Sequence, residues 1–408
     1  MNCRHCATPL SNKILDLGYS PPSNAYRSEA DSQRPEVTYP LRIHVCVNCW
    51  LVQTEDYATA DSLFTADYAY FSSISSIWLA HAKTYCEQMQ RQFDLGTQSF
   101  VVEIASNDGY LLKNFVSANI PCLGIEPTAS TAEAARRAGV ESLEVFFGVK
   151  TAAELVIQGK QADLLLGNNV YAHVPDINDF TEGLALLLKP EGLITLEFPH
   201  VLNLLLLNQF DTVYHEHYSY LSLTAVRRIF KQFGLRIWHV ECLATHGGSL
   251  RIYGCHNDAS NYVTQSSVSE ILGQEERAGL LGLAGYQRLQ AGADAIKHET
   301  LSFLLDQHRQ GKRIAAYGAA AKGNTLMNYA GIRADLVEFV SDAAVSKQGK
   351  RMPGSQLAIL SPEAIAERRP DLVWILPWNI ADEVAEQQSA IRSWGGQFFT
   401  SLPKLRVF

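Results

Sequence analysis

No run of this sequence approaches the roughly 20 consecutive apolar residues that a membrane-spanning helix needs. No secretory leader is expected either, because Met1-Asn2-Cys3-Arg4-His5 is followed by no apolar core. Excess positive charge is also missing. Lys and Arg total 34 against 42 Asp and Glu, a net charge of −8, which argues against a nucleic-acid binder held by phosphate contacts. A disulfide framework is missing as well. Of the eight cysteines, four pair locally as Cys3/Cys6 and Cys46/Cys49, whereas Cys86, Cys122, Cys242 and Cys255 stand alone. In 408 residues with no export signal this points to a reducing, cytoplasmic setting. What remains is an ordinary globular composition, 47% hydrophobic and 19% charged, long enough for two or three domains with cores.

The paired cysteines form two CxxC knuckles. Each presents two thiolates about one zinc-ligand edge apart, and two knuckles complete a tetrahedron. A redox CxxC is the rival reading, but it does not require two copies. Between the knuckles, Pro21-Pro22-Ser23-Asn24 reads as a turn, and residues 38–45 alternate as a strand running into the second knuckle. The expectation is a zinc ribbon with a structural ion held by Cys3, Cys6, Cys46 and Cys49, with His5 and His44 as bystanders. Four thiolates leave no open position for a substrate.

Residues 98–104 are a buried-strand run ending in Ala105-Ser106-Asn107-Asp108-Gly109, after which a helix begins. Such a turn offers backbone N–H groups at a helix start. The next strand, Cys122-Leu123-Gly124-Ile125, ends at Glu126, placed to accept from both ribose hydroxyls of a nucleoside. That geometry alone allows NAD or S-adenosylmethionine (SAM). The turn discriminates: Ala105 and Asn107 occupy two glycine-like positions and only Gly109 remains, which suits a cofactor with no pyrophosphate. Glu103 is the acid found at the end of many SAM-binding first strands, and Asn168, ending the strand 162–167, is a candidate SAM contact or a turn residue.

Tyr214-His215-Glu216-His217-Tyr218-Ser219-Tyr220 carries two imidazoles, a carboxylate and three phenols, more titratable groups than a fold requires. It lacks the His-Glu-x-x-His spacing of a helical metal site, so proton chemistry is the expectation. Residues 223–233 follow as an amphipathic helix stopped by Gly234. Beyond a long helix over 286–309, strand 312–317 leads through the turn 318–324 into a second helix, a nest for anions with Lys322 as a point charge. Strands over 336–340 and 372–376 continue a small parallel sheet.

Taken in order, the knuckles, Asp67-Tyr68-Ala69-Tyr70-Phe71-Ser72-Ser73, Glu103-Ile104-Ala105-Ser106-Asn107-Asp108-Gly109, Tyr214-His215-Glu216-His217, His246-Gly247-Gly248-Ser249-Leu250-Arg251 and Gly318-Ala319-Ala320-Ala321-Lys322-Gly323 resemble the SAM-dependent nucleotide-sugar C-methyltransferases. The resemblance covers nearly the whole chain. It implies an α/β protein of three parts: a zinc module (1–60), a class I Rossmann-like SAM methyltransferase core (61–285), and a smaller Rossmann-like domain (286–408) that binds a nucleotide-linked ketodeoxysugar. It implies methylation at the third carbon (C3) of the sugar, beside a ketone on the fourth. Carried over by motif, His217 is the base, Tyr214 the donor to the ketone oxygen, Glu216 the residue that orients or polarises His217, His173 a second active-site histidine, and Tyr70 a closing residue. Ala105, Ser106, Asn107, Gly109, Glu103, Glu126 and Asn168 form the SAM set. The chain is expected to be a monomer or homodimer. A SAM methyltransferase with a non-sugar acceptor and a non-catalytic scaffold are the rival readings.

Overall fold

The computed structural model describes residues 1–57 and 71–408, so Tyr70 lies outside the described residues. The first sheet is antiparallel and begins with β1 (Asn12–Ser20), β2 (Tyr39–Val45) and β3 (Val52–Thr54). The first CxxC knuckle precedes β1, and the second is the turn between β2 and β3.

The central sheet contains β4 (Val101–Ile104), β5 (Cys122–Ile125), β6 (Ser142–Leu143), β7 (Ala162–Asn168) and β8 (Leu188–Pro199), all parallel. The short β9 (Ser219–Tyr220) does not join them. It pairs with β3 and closes the first sheet instead. Then β10 (Leu235–Leu243) and β11 (Ser249–His256) form an antiparallel hairpin, and β11 inserts between β8 and β10. The resulting order, β6-β5-β4-β7-β8-β11-β10, is the class I methyltransferase order. The parallel strands are buried along nearly their full length, as their continuous Val, Ile and Leu content requires when helices cover both faces.

The third sheet is built from β12 (Ile314–Tyr317), β13 (Val340–Ser341), β14 (Ile359–Leu360), β15 (Leu372–Ile375), β16 (Gln397–Thr400) and β17 (Arg406–Val407), parallel except at the last strand. The strand expected over 336–340 is confined to its end. The amides of Leu336 and Val337 bond back to the Arg333 carbonyl, which spends those residues on a turn. The helix expected over 286–309 runs Arg288–Arg309, after a short 3₁₀ turn at Leu283–Tyr286. The helix after β9 spans Leu223–Gln232, capped by Ser222, and Gly234 follows in the left-handed region at φ 70°.

Packing ties the sheets together. Leu15, Ile43 and Val52 share one core with Leu289 and Ile296 of the helix Arg288–Arg309 and with Val340 and Trp374 of the third sheet. Cys3, Cys46 and Leu51 share another with Val102 and Leu165 of the central sheet. The N-terminal module is therefore wedged between the two larger bodies. No helix among the described residues is long and apolar enough to cross a membrane.

Candidate active site

The four knuckle sulfurs lie within 4.8 Å of one another, and Cys3–Cys49 and Cys6–Cys46 approach to 3.5 Å. A tetrahedral zinc with Zn–S bonds of about 2.3 Å has S–S edges of about 3.8 Å, so the set fits that ion with every position filled by the protein. Gln53 Nε2 donates to Cys3 Sγ at 3.2 Å. His5 and His44 are turned elsewhere, to Asn178 and Glu55.

The turn after β4 has the backbone that the glycine-like positions require. Ala105 and Asn107 are both left-handed, at φ 56° and 51°, and Gly109 follows at φ 75°. A Cβ on Gly109 would meet Val140 Cγ2 at 3.0 Å and Ala135 behind it. Glu126, just beyond β5, holds the turn: its carboxylate accepts from Asn107 N and Thr128 N, both at 2.9 Å. Burial pushes its pKa up.

Ala105, Asn107, Glu126 and Asn168 all line one cavity of about 370 Å³. Neither amide atom of the buried Asn168 has a hydrogen-bond partner. A neutral orphaned amide, a second-strand carboxylate and flanking aromatics (Trp78, Tyr110 and Phe146) make a wall suited to SAM, which presents hydroxyls, an amino acid and an adenine. Three expected contacts fall outside that wall. Ser106 is buried against Gly124, and Gly109 against the helix Ala129–Arg137 and Val140. Glu103 is wholly buried with neither oxygen hydrogen-bonded; burial, with the charges of Asp108 and Glu126, drives its pKa well up. These positions shape the turn from below.

The same cavity continues to Tyr214, His217 and His173. His217 Nδ1 lies 2.8 Å from the Thr212 carbonyl, which can only accept, so the ring proton is on Nδ1. Nε2 is then the acceptor, and Tyr214 Oη donates to it at 2.7 Å. His173 donates from Nδ1 to the Glu216 carbonyl at 2.8 Å and sets its ring edge-on to His217, with centroids 4.6 Å apart. Burial pushes His173 down to about 4. Burial, then the neighbouring His173, hold His217 well below the usual imidazole range. Both rings are therefore neutral near pH 7, the form a base needs.

Glu216 departs from its expected place. Its carboxylate turns away from the His217 ring and accepts from Asn24 N and Nδ2, at 3.1 and 3.2 Å. The chain closes a turn here, His217 N to Tyr214 O at 3.0 Å, so neighbouring side chains diverge. Orientation of His217 falls to the Thr212 carbonyl. His215 packs edge-on to Tyr39, and His200 pairs with the buried Glu275; neither lines the cavity.

Several lining residues escaped the sequence reading. His246, singled out in the sequence only as part of the motif His246–Arg251, is in the wall at φ 54°, with Nε2 3.0 Å from Asn169 Nδ2. Burial pushes it, too, down to about 4. Asn24 comes from the zinc module and Ala320, Ala321 and Lys347 from beyond residue 286, and Lys322, expected as the point charge of an anion nest, lines the cavity with them. The cavity thus has walls from all three parts of the chain.

Residues 3–64 match a zinc binding domain, 78–240 a methyltransferase domain, and 244–403 a C-methyltransferase C-terminal domain. The C-methyltransferase NovU of Streptomyces niveus is 31% identical over 405 residues, covering 99% of this chain and 96% of its own. A ubiquinone biosynthesis O-methyltransferase of Chelativorans sp. (strain BNC1) is 32% identical over 23% of this chain and 38% of its own. Among solved structures, magnesium protoporphyrin IX methyltransferase of Synechocystis PCC 6803 is 13% identical over 44% of this chain and 79% of its own, with a TM-score of 0.34. A relative matched end to end, together with a zinc-binding module, a SAM-binding core and a C-methyltransferase C-terminal domain in that order, places this chain in the zinc-containing family of SAM-dependent C-methyltransferases.

Proposed function

We propose that the enzyme removes the proton at C3 of a nucleotide-linked 4-keto-6-deoxysugar, with thymidine diphosphate as the first candidate carrier, and methylates the resulting enolate. The carrying observation is that the Tyr214–His217 couple and the Asn168–Glu126 wall open into one cavity. Carbon becomes a methyl acceptor only as a carbanion equivalent, so a C-methyltransferase needs a base beside its cofactor. When bound, SAM supplies an electrophilic methyl; Glu126 and Asn168 are the residues to hold it.

The proton leaves C3 to the Tyr214–His217 couple and ends on His217 Nε2, while the Thr212 carbonyl keeps the Nδ1–H in place. His173 keeps that end of the cavity neutral and holds the Glu216 backbone. Lys347 lies over the turn that begins at Gly318, its ammonium 2.8 Å from the Ala319 carbonyl. That puts a cation where the sugar's diphosphate would reach residues 286–408. Incubation with methyl-labelled SAM and a panel of nucleotide 4-ketosugars is the test. Label on carbon, and only with 4-keto members, is the expected result; label on oxygen, or on none of the panel, would overturn it.

A further inference from the structure

Resting on that reading, we propose that Lys322 is a further catalytic residue: its ammonium takes the negative charge that develops on the ketone oxygen as C3 loses its proton. The need for such a group follows from counting protons. Deprotonation beside a ketone leaves charge on the oxygen, and an efficient site aims a donor at it. Tyr214 is the residue expected there, but a phenol has one proton. With the ring proton of His217 fixed on Nδ1 by the Thr212 carbonyl, the Tyr214 proton goes to Nε2 at 2.7 Å. The position at the ketone oxygen therefore needs another donor.

Lys322 has what the position requires. It lines the same cavity as Tyr214, His217 and His246. An ammonium carries three protons. One goes to Asn379 Oδ1 at 2.8 Å, and the ring of Trp378 lies 5.2 Å away. Both partners are neutral, and no carboxylate among the described residues lies within ion-pairing distance of Lys322. Its counter-charge stands behind the indole. Asp211, buried, accepts from Trp378 Nε1 at 2.8 Å through Oδ2, while its Oδ1 has no hydrogen-bond partner. Burial pulls the Lys322 pKa down from its ordinary value, and the charge of Asp211 opposes that shift without occupying the ammonium. The helix Ala321–Ala330 starts at this point with no side-chain cap, so the positive end of its dipole adds to the same field.

The second cavity lysine is placed differently. Lys347 is 2.8 Å from the Ala319 carbonyl and 3.5 Å from Asp342, at the turn that begins at Gly318. The charge of Lys322, by contrast, is felt at both His217 and His246, on the reacting side. Two cations in one cavity thus serve two anions, one permanent and one transient.

The step balances. The C3–H electron pair becomes the enolate, with its charge on the oxygen beside Lys322, and the proton rests on His217 Nε2. C3 then takes the methyl, the carbon–sulfur pair returns to sulfur, and the ketone re-forms neutral. Lys322 stays protonated throughout, and His217 passes its proton to water.

A diphosphate is negative in both ground and transition states, whereas the enolate exists only after deprotonation. Loss of a diphosphate contact therefore raises KM, and loss of an enolate contact lowers kcat. The experiment compares wild type, Lys322→Gln and Lys322→Arg with a thymidine-diphosphate 4-keto-6-deoxyhexose and SAM, using SAM affinity by calorimetry as the check on folding. Lys322→Gln is expected to lower kcat, and solvent exchange at C3, by about 10²–10³-fold, as removal of an oxyanion donor does. KM and SAM affinity should stay within about threefold, and Lys322→Arg should recover at least about tenfold of the loss. A raised KM with unchanged kcat, or equal losses in Gln and Arg variants, would overturn the assignment. A wild-type enzyme inert toward every 4-ketosugar would instead overturn the substrate reading, and this assignment with it.

Discussion

Two strand–turn–helix units face the same cavity and are built on opposite charge. After β4, the turn at Ala105 has two non-glycine residues in the left-handed region and is held by a carboxylate, Glu126. After β12, the turn at Gly318 is tied by its amide to the Ser341 carbonyl at 2.7 Å and leaves no room for a side chain beside Pro377, and lysines 322 and 347 stand around it. On the proposed function, one local architecture is thus tuned to two ligands. The acid-held turn suits hydroxyls and a cationic sulfonium, and the lysine-flanked turn suits an anion. The glycine-poor motif is legible as a SAM turn for that reason: nothing phosphorylated has to approach its backbone.

If the two halves are separate binding units joined only at the catalytic segment, substitutions should divide cleanly among them. The largest effect belongs to neither turn. His217→Ala should lower kcat by about 10²–10⁴-fold, the usual contribution of a general base, with SAM affinity nearly unchanged by calorimetry. Next come the turns themselves. Glu126→Ala should weaken SAM about tenfold or more, from losing hydrogen bonds to a charged acceptor, yet leave KM for the nucleotide sugar alone. Lys347→Ala should do the reverse, and a crossed result in either steady-state assay would break the comparison.

Backbone changes are smaller. At Gly318, φ is 93° and an added Cβ would sit 2.4 Å from Pro377 Cδ, so Gly318→Ala should cost about 1–3 kcal/mol in urea unfolding. Ala105→Gly relieves left-handed strain while loosening the unfolded chain, and should change stability by less than about 1 kcal/mol. Stability should also depend on pH. His173 and His246 are pushed down to about 4 by burial, below their unfolded value of about 6.5, so the unfolded chain binds more protons between those limits. Their contribution to stability is full above about pH 6.5 and is lost as pH falls toward 4. A urea midpoint unchanged between pH 7 and 4.5 would contradict their burial.

Local features were legible and remote ones were not. The CxxC knuckles, the Ala105 turn, Glu126 and the Tyr214–His217 segment each declare themselves within a few residues, because spacing alone brings their groups together. Asn24 reaches Glu216 from 192 positions away, and Trp378 reaches Asp211 from 167. No periodicity or spacing carries that information; the packing of one body on another supplies it. Glu216 shows the same limit. Next to His217 in sequence, it was expected to be its partner, but the turn at 214–217 sends the two side chains apart. Two expectations differ from the structure: of the strand at 336–340 only Val340 pairs, with Ser341 after it, and Glu103 lies buried outside the cavity wall.

The short strand β3 makes the zinc module more than a remote ornament. Gln53 donates to Cys3 Sγ and pairs with Ser219 of β9, and the next residue, Thr54, gives its hydroxyl to the His217 carbonyl at 3.0 Å. Two adjacent residues therefore fasten the four-cysteine zinc site to the backbone of the histidine proposed as base. The four thiolates thus stand behind the segment proposed as catalytic. Extracting the ion should let that segment drift before the cofactor wall is disturbed, so turnover should fail at chelator concentrations where SAM still binds.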